Sequence, residues 1–120
     1  MSSLRRLWIP TSNESLLSAQ AALLSRFVKK ATLHCRQVEL PDGNSINCVD
    51  TASDTDIAKK TVANNRTLVL AHGLGSGLGF WFDNFDALAQ QYDRVVAFDW
   101  LGFGASRYMP PIFSTYCTPL

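Results

Sequence analysis

The stretch from residue 67 to residue 106 constrains the fold more than any other part of the chain. It contains two short apolar runs, residues 67–71 and 94–98, and each stops abruptly at a glycine-rich turn. A short continuous apolar run is typical of a strand that is buried on both faces of a parallel sheet. Between the runs, apolar residues recur at helical spacing: Trp81, Phe82, Phe85, Leu88, Ala89 and Tyr92. The stretch therefore predicts a right-handed βαβ crossover in a helix-covered parallel sheet.

Composition and charge exclude several classes of protein. With 47% hydrophobic and 18% charged residues among 120, the chain is neither collagen-like nor disordered. A formal net charge of +1 with scattered basic residues gives no case for nucleic acid as a partner. The three cysteines have no metal-ligand spacing, and their odd number disfavours a disulfide framework. We therefore expect a reducing compartment, no metal and no cofactor.

The N-terminal region, residues 1–30, predicts an arm followed by an amphipathic helix. The pattern from Thr11 to Glu14 is typical of a capping box, so the helix should begin near Thr11 or Ser12. Its apolar stripe comprises Leu16, Leu17, Leu23, Leu24, Phe27 and Val28. We expect this stripe to pack on the domain. Contact with a membrane surface is the alternative, because basic and interfacial side chains flank the stripe: Arg5, Arg6, Trp8, Arg26, Lys29 and Lys30.

The next segments predict a hairpin and two irregular stretches. Residues 32–40 and 45–49 flank an Asp-Gly turn, so they should form a hairpin that joins the sheet edge in antiparallel orientation. Residues 51–65 are polar and aperiodic and predict a mobile loop. Residues 107–120 carry three prolines and predict an extended tail. Residues 31–106 would then form a partial α/β domain between arm and tail.

The turn that follows residues 67–71 offers backbone N–H groups at the carboxyl edge of the predicted sheet, where such folds bind ligands. It could hold a phosphate or stabilise the oxyanion of acyl transfer. Glycine alternates at Gly73, Gly75, Gly77 and Gly79, which does not fit Gly-x-Gly-x-x-Gly, and no Gly-Lys-Ser/Thr follows. A His-Gly turn before the first sheet-covering helix instead favours the oxyanion role.

At this point the chain resembles the α/β-hydrolase family. The resemblance is carried by His72-Gly-Leu-Gly75 and, 27 residues after His72, by Asp99-x-x-Gly-x-Gly-x-Ser106. Residues 8–11, 79–89 and 97–104 are similar to the abhydrolase lipid subgroup. That subgroup includes lysophospholipases, N-acyl phospholipid hydrolases, lysophosphatidic acid acyltransferases and a catalytically silent lipase coactivator. The resemblance covers residues 8 to 106.

The resemblance implies the N-terminal portion of an α/β-hydrolase fold: a helix, an antiparallel hairpin and a parallel βαβ unit in an incomplete sheet. It implies serine-type hydrolysis or acyl transfer on lysophospholipid or lysophosphatidic acid esters. The backbone N–H of Leu74 would bind the oxyanion in a turn shaped by His72, Gly73 and Gly75. A structural second turn would use Asp99, Gly102, Gly104 and Ser106, with the serine capping the next helix.

The sequence departs from the family at the catalytic residues. Neither Ser76 nor Ser106 lies in Gly-x-Ser-x-Gly, and the only other histidine, His34, lies in the early hairpin. We therefore expect a fragment that lacks nucleophile, acid and base and is inactive as written. The alternative is a non-catalytic protein that binds a lipid surface or a lipase. A third reading, an epoxide hydrolase or dehalogenase, expects proline where Gly75 stands.

Location follows from the same observations. No apolar run approaches the ~18 residues that span a bilayer, and residues 1–8 lack the apolar core of a signal peptide. We expect an intracellular protein, cytoplasmic or peripheral to a membrane or lipid droplet. The Ser- and Arg-containing opening leaves a mitochondrial location open.

Overall fold

A computed structural model describes residues 12–58 and 66–109. The sheet has four strands in the order β1-β2-β4-β3. The strands are β1 (His34–Glu39), β2 (Ser45–Asp50), β3 (Thr67–Ala71) and β4 (Arg94–Phe98). The helices are α1 (Asn13–Phe27), α2 (Asp54–Ala58), a 3-10 helix (Leu78–Trp81) and α3 (Phe85–Leu88). The fold is α/β, as the sequence predicted, and the sheet is not closed.

The predicted hairpin is confirmed. β1 and β2 pair antiparallel from His34 opposite Asp50 to Glu39 opposite Ser45. Gly43 adopts a φ of 82° in the turn between them, a conformation that glycine reaches without steric cost. β2 then pairs antiparallel with β4, so the hairpin joins the sheet in the orientation that its short link predicts.

β3 and β4 are parallel neighbours, as predicted, but the helix between them is shorter than the apolar spacing indicated. They pair from Thr67 opposite Arg94 to Ala71 opposite Phe98. In place of one helix reaching Tyr92, the chain forms the 3-10 helix and the single turn of α3. Glycine at two positions of residues 77–79 weakens an α-helix there, and a buried carboxylate fixes the N–H at the start of the 3-10 helix.

The core lies where α1, the 3-10 helix and α3 meet the sheet. Its buried apolar residues are Leu24, Val49, Leu70, Leu78, Phe85, Val95 and Ala97. Leu24 of α1 is only 3% exposed, so the helix packs on the domain. Ser12 caps α1, since its Oγ accepts from Ser15 N at 3.1 Å, which confirms the predicted helix start. The capping box predicted from the sequence paired Thr11 with Glu14. In the structure the cap is one residue later and pairs Ser12 with Ser15.

The prediction of a loop over residues 51–65 is wrong for its first half, because α2 lies there. The cap is reciprocal: Asp56 N donates to Ser53 Oγ at 3.2 Å, and Ser53 N donates to the Asp56 carboxylate at 3.1 Å. Ser-x-x-Asp is a capping-box pattern, so the helix start could have been read from the sequence. The rest of the predicted loop, residues 59–65, lies outside the described residues.

Several further predictions fall outside the described part of the chain. Arg5, Arg6 and Trp8 belong to residues 1–11, and most of the predicted tail belongs to residues 110–120. At the beginning of that tail, Arg107 forms an isolated antiparallel bridge with Ser45. Within residues 12–58 and 66–109, no helix is long and apolar enough to cross a membrane.

Candidate functional site

Two turns leave the sheet side by side, because the parallel strands β3 and β4 end at the same edge. We call residues 72–79 the first turn and residues 99–106 the second turn. Trp100 joins them: its backbone N donates to His72 Nε2 at 3.2 Å, and its indole Nε1 donates to His72 O at 2.9 Å. The predicted site residues of both turns therefore lie together at one edge.

The first turn presents a free backbone donor. Ser76 N donates to Gly73 O at 3.3 Å, and Gly75 has a φ of 74°, the conformation that a type II turn requires at its third position. Leu74 occupies the second position, and its side chain is 95% exposed. Among the hydrogen bonds between described residues, none uses the Leu74 N–H. An acceptor at this edge can therefore bind it.

His72 is buried with both ring nitrogens engaged. Nδ1 lies 2.9 Å from Gly73 O, which can only accept, and Nε2 faces Trp100 N, which can only donate. Nε2 also lies 3.6 Å from Asp99 Oδ1, so both ring nitrogens face groups of the two turns. No ring nitrogen remains to take a proton from a nucleophile.

Asp99 fixes the two turns to each other and to β2. Its Oδ1 accepts from Leu78 N at 2.6 Å, and its Oδ2 accepts from Ala105 N at 2.9 Å and from Asn47 Nδ2 at 2.7 Å. A Cβ at Gly104 would lie 2.2 Å from Oδ2, so only glycine fits beside this carboxylate. The carboxylate is buried and fully used by internal donors, which suits a structural role.

The second turn continues into the sheet instead of into a helix. Gly102 has a φ of 79°, and Phe103 N donates to Trp100 O at 2.8 Å, which again fits a type II turn. Ser106 Oγ donates to Asp99 O at 2.7 Å and accepts from Asn47 N at 2.8 Å. The expectation that Ser106 caps a helix is wrong, because the bridge between Arg107 and Ser45 keeps the backbone extended there.

Sequence reasoning missed Asn47, although this residue connects the site to the rest of the domain. Its side-chain amide donates to Gln20 Oε1 at 3.0 Å as well as to Asp99. Asn47 O also accepts from Asp99 N at 2.9 Å. A polar side chain between strand-forming neighbours was the available signal, because a buried amide needs partners.

An ion cluster around the buried Asp50 lies at the opposite edge of the sheet, away from the turns. Asp50 contacts Arg94 and accepts from Arg36 Nη1 at 2.7 Å and Ala52 N at 2.8 Å. Burial alone would raise the pKa of Asp50. The hydrogen bonds from Arg94 and Ala52, with the charges of Arg94 and Arg36, outweigh burial and hold that pKa below its usual range.

Asp86 anchors the C-terminal end of α1. Its carboxylate accepts from the backbone N of Lys29, Lys30 and Ala31 at 2.8 to 2.9 Å. The N–H groups of Ala31 and Lys29 lead the effects that lower the pKa of Asp86. This contact holds the predicted amphipathic helix against the domain, and no sequence pattern pointed to it.

The described residues offer neither a thiolate nor a metal centre. Cys35 and Cys48 are free, and burial raises the pKa of both thiols, which keeps them protonated. No group of three or more His, Cys, Asp or Glu in residues 12–58 and 66–109 could hold a metal ion.

Two adjoining cavities lie between α1 and the turns. One of about 280 Å³ is lined mainly by apolar side chains of α1 and the 3-10 helix, Leu16, Leu23 and Phe80 among them. The other, about 420 Å³, lies at the N-terminal end of α1 and shares Leu16, Ala19 and Gly104 with the first. Neither is lined by Leu74, so the free donor faces a different part of the surface.

Comparison with known proteins agrees with this architecture. The family described as alpha/beta hydrolase fold matches residues 66–119. A probable 1-acylglycerol-3-phosphate O-acyltransferase of Oryza sativa subsp. japonica is 40% identical over 107 residues, covering 82% of this chain and 25% of that protein. A (lyso)-N-acylphosphatidylethanolamine lipase of Homo sapiens is 36% identical over 97 residues, covering 80% of this chain and 25% of that protein.

A mixed four-stranded sheet with helices packed on it defines an α/β protein. The chain belongs to the α/β-hydrolase family, beside acyltransferases and lipases whose names refer to phospholipids and lysophospholipids. It spans about a quarter of the length of the curated relatives it matches. No solved structure matches the chain.

Proposed function

We propose that this chain supplies the oxyanion-binding turn of a serine-type acyl-transfer site acting on lysophospholipid or lysophosphatidic acid esters. The observation that carries the proposal is the free N–H of Leu74 at the carboxyl edge. The names of the relatives support a glycerolipid ester as the substrate. Hydrolysis and acyl transfer share the step in which the serine attacks the ester and forms the acyl-enzyme, so both reactions fit this turn.

The chemistry needs that donor where negative charge develops. A serine alkoxide attacks the ester carbonyl, and the carbonyl oxygen becomes an oxyanion in the tetrahedral intermediate. The Leu74 N–H would donate to this oxygen. Positions for a Cβ at Gly73 and Gly75 have no other heavy atom within 4 Å, so the turn leaves room for an ester beside the donor.

We propose further that the 120 residues are a fragment that is not catalytically competent alone. No Gly-x-Ser-x-Gly occurs in them. Both ring nitrogens of His72 have hydrogen-bond partners within the chain. The Asp99 carboxylate accepts from three internal donors. Nucleophile, acid and base would therefore come from sequence beyond these residues.

The chain also supports a proposal about where the protein works. The two described cysteines are free, which suits a reducing compartment, and esters of this class reside at lipid surfaces. We place the protein inside the cell, in the cytoplasm or peripheral to a membrane or lipid droplet. The mitochondrial alternative depends on residues 1–11, outside the described residues.

Sequencing the transcript beyond the Leu120 codon provides the protein for the decisive assay. We expect a downstream Gly-x-Ser-x-Gly, then an acid and a histidine. In that longer product, Leu74→Pro removes the N–H and should lower kcat by about 10²- to 10³-fold. Proline suits the second position of a type II turn, so the turn should survive.

Leu74→Ala is the matched control, because it keeps the N–H and truncates an exposed side chain. It should retain kcat. Equal activity of the two variants would contradict the oxyanion role. The 120-residue chain itself should neither hydrolyse lysophosphatidic acid nor react with a fluorophosphonate serine probe, and turnover by it would contradict the fragment proposal.

The second candidate is a non-catalytic protein that binds a lipid surface or a lipase. The engagement of His72 and Asp99 in internal hydrogen bonds favours it, because neither side chain is left for chemistry. Absence of a Gly-x-Ser-x-Gly downstream of Leu120 would decide for this candidate. A transcript that encodes the motif would decide against it.

A further inference from the structure

The direction of the Leu74 N–H is set by the carbonyl group that shares its peptide bond. Gly73 O and Leu74 N belong to one planar trans unit, in which the C=O and the N–H point in opposite directions. Gly73 O lies 2.9 Å from His72 Nδ1 and accepts from Ser76 N at 3.3 Å. While these contacts hold the carbonyl on the side of His72, the Leu74 N–H points away from that side chain.

The first turn has little rigidity of its own at this peptide bond. Beyond the neighbouring residues, no heavy atom lies within 4 Å of a Cβ placed at Gly73 or Gly75, so no packing resists rotation of the backbone there. Glycine also lacks the Cβ that restricts φ and ψ in other residues. The hydrogen bond that closes the turn, from Ser76 N to Gly73 O, is long at 3.3 Å. The orientation of the Leu74 N–H therefore depends on how firmly His72 is held.

Trp100 of the second turn holds His72 at two points. Its backbone N donates to His72 Nε2 at 3.2 Å, and its indole Nε1 donates to His72 O at 2.9 Å. Any residue except proline could make the first contact, but the second requires the indole. His72 O belongs to the peptide bond directly before the one that carries the Leu74 N–H. The indole therefore fixes the backbone where the first turn begins.

Burial does not account for a tryptophan at position 100. The residue is 48% exposed, so much of its ring stays in water and gains little from the hydrophobic effect. The ring meets that of Phe98 edge-on with 4.8 Å between centroids, a contact that a phenyl ring can also make. The indole N–H is the feature that tryptophan adds at this position, and its partner is His72 O.

We propose that Trp100 is a positioning residue, whose indole keeps the Leu74 N–H rigid and pointed outward. Donors that are oriented before the reaction need no reorganisation when negative charge develops. The value of this rigidity for acyl transfer rests on the proposed function, whereas the rigidity itself is a property of the chain alone. Trp100 acts through His72 O and touches no reacting atom.

NMR relaxation measurements on the 120-residue chain test the proposal through the order parameter S² of the Leu74 N–H. Trp100→Phe removes the indole donor and keeps an aromatic ring beside Phe98. Trp81→Phe is the matched control: it also deletes an indole N–H, but Trp81 Nε1 has no hydrogen-bond partner among the described residues. Circular dichroism establishes that each variant compared is folded.

We expect S² of about 0.85 at Leu74 in the parent chain and in Trp81→Phe, and a value below about 0.6 in Trp100→Phe. Motion too slow to lower S² would appear at Leu74 as microsecond-to-millisecond exchange in relaxation dispersion. Ala97 in β4 is the internal reference and should stay rigid in all three chains. A matching loss of order at Ala97 in Trp100→Phe would mean that the whole domain loosens and would contradict a local role.

Ethylphosphonate, a short tetrahedral oxyanion, separates this proposal from the proposed function. If the Leu74 N–H of the parent chain binds it, Trp100→Phe should raise the Kd about three- to tenfold, the effect of one hydrogen bond. Trp81→Phe should leave the Kd unchanged. A parent chain that does not bind ethylphosphonate would contradict the oxyanion role, and the S² values would still decide the positioning role.

Three results would overturn the proposal. Leu74 could be as ordered in Trp100→Phe as in the parent chain by both NMR measurements, Trp81→Phe could lose the same order at Leu74, or Trp100→Phe could keep the Kd of a parent chain that binds ethylphosphonate. If Trp100→Phe does not fold, the parent chain provides the test. The Trp100 indole N–H should have S² of about 0.85, and a value below about 0.6 would show that the indole is not held.

Discussion

The two glycine-rich turns begin alike and end differently. Each places a leucine and then a glycine at the second and third positions of a turn that fits type II, Leu74-Gly75 in the first and Leu101-Gly102 in the second. Beyond these residues the second turn closes around the Asp99 carboxylate and returns to the sheet through Ser106. In the first turn, Gly73 and Gly75 have open space, and only the end of the turn reaches Asp99: a Cβ at Gly77 would lie 3.1 Å from Asp99 Oδ1, and Leu78 N donates to the same oxygen.

This difference is the basis of our proposal that the first turn binds a ligand and that the second turn supports it. Glycine is required at Gly104 because a carboxylate fills the space where a side chain would begin. At Gly73 no contact and no left-handed φ requires glycine. The fold therefore does not require glycine at position 73. The absence of a side chain there leaves space for a ligand beside the Leu74 N–H.

The largest effect should come from Gly104→Ala. The new Cβ would lie 2.2 Å from Asp99 Oδ2 at a φ of 54°, so overpacking and left-handed strain add. We expect a loss of about 3–5 kcal/mol in the free energy of unfolding, measured by urea denaturation. Gly75→Ala adds left-handed backbone strain but no close contact, so it should lower the free energy of unfolding by about 1–2 kcal/mol. Equal losses would remove the distinction between the turns.

Asp99→Asn should destabilise the domain by about 2–3 kcal/mol, because the new amide nitrogen would face an N–H donor in either orientation. In the Oδ1 position it would face Leu78 N, and in the Oδ2 position it would face Ala105 N and Asn47 Nδ2. The same urea measurement checks it. Asp83→Asn is the control, because this exposed carboxylate accepts no hydrogen bond from another described residue, and it should stay within about 0.5 kcal/mol of the parent chain. A neutral Asp99→Asn would contradict the supporting role of this carboxylate.

The ion cluster at the opposite edge should make stability depend on pH. The pKa of Asp50 is lower in the folded chain, so its stabilisation is fully present above the unfolded value of about 3.9 and is lost as pH falls through the folded value. We expect the free energy of unfolding to fall as the pH drops below about 4. Asp50→Asn should flatten this dependence, whereas the exposed Glu39→Gln should follow the parent curve. Parallel curves for all three would contradict the prediction.

The smallest effect on stability should come from Gly73→Ala. No other heavy atom lies within 4 Å of its new Cβ, so the free energy of unfolding should change by less than about 0.5 kcal/mol. In the longer product, the same methyl would occupy space beside the Leu74 N–H and should raise KM for the ester. Strong destabilisation would show that the fold requires glycine there and would weaken the ligand interpretation.

The sequence predicted those parts of the fold that depend on local signals. The Asp-Gly turn gave the hairpin, and the unbroken apolar runs of residues 67–71 and 94–98 gave the parallel pair. The polar side chain of Asn47 in a strand signals that it needs partners, but its hydrogen bonds with Asp99 and Gln20 join residues far apart in sequence, so no local pattern identifies those partners. The role of Leu74 in an acyl-transfer reaction remains a prediction.

The most direct test of the account compares the backbone amides of Leu74 and Leu101 by NMR. They are the same residue at the same position of two similar turns, and neither N–H donates to another described residue. They differ in space: the Cβ position of Gly102 is in van der Waals contact with Tyr108 at 3.7 Å, whereas no other heavy atom lies within 4 Å of the Cβ position of Gly75. Titration with ethylphosphonate, a short tetrahedral oxyanion, should shift the Leu74 amide resonance downfield and leave that of Leu101 unchanged. Equal shifts, or a shift at Leu101 alone, would contradict the claim that the first turn is the oxyanion-binding element.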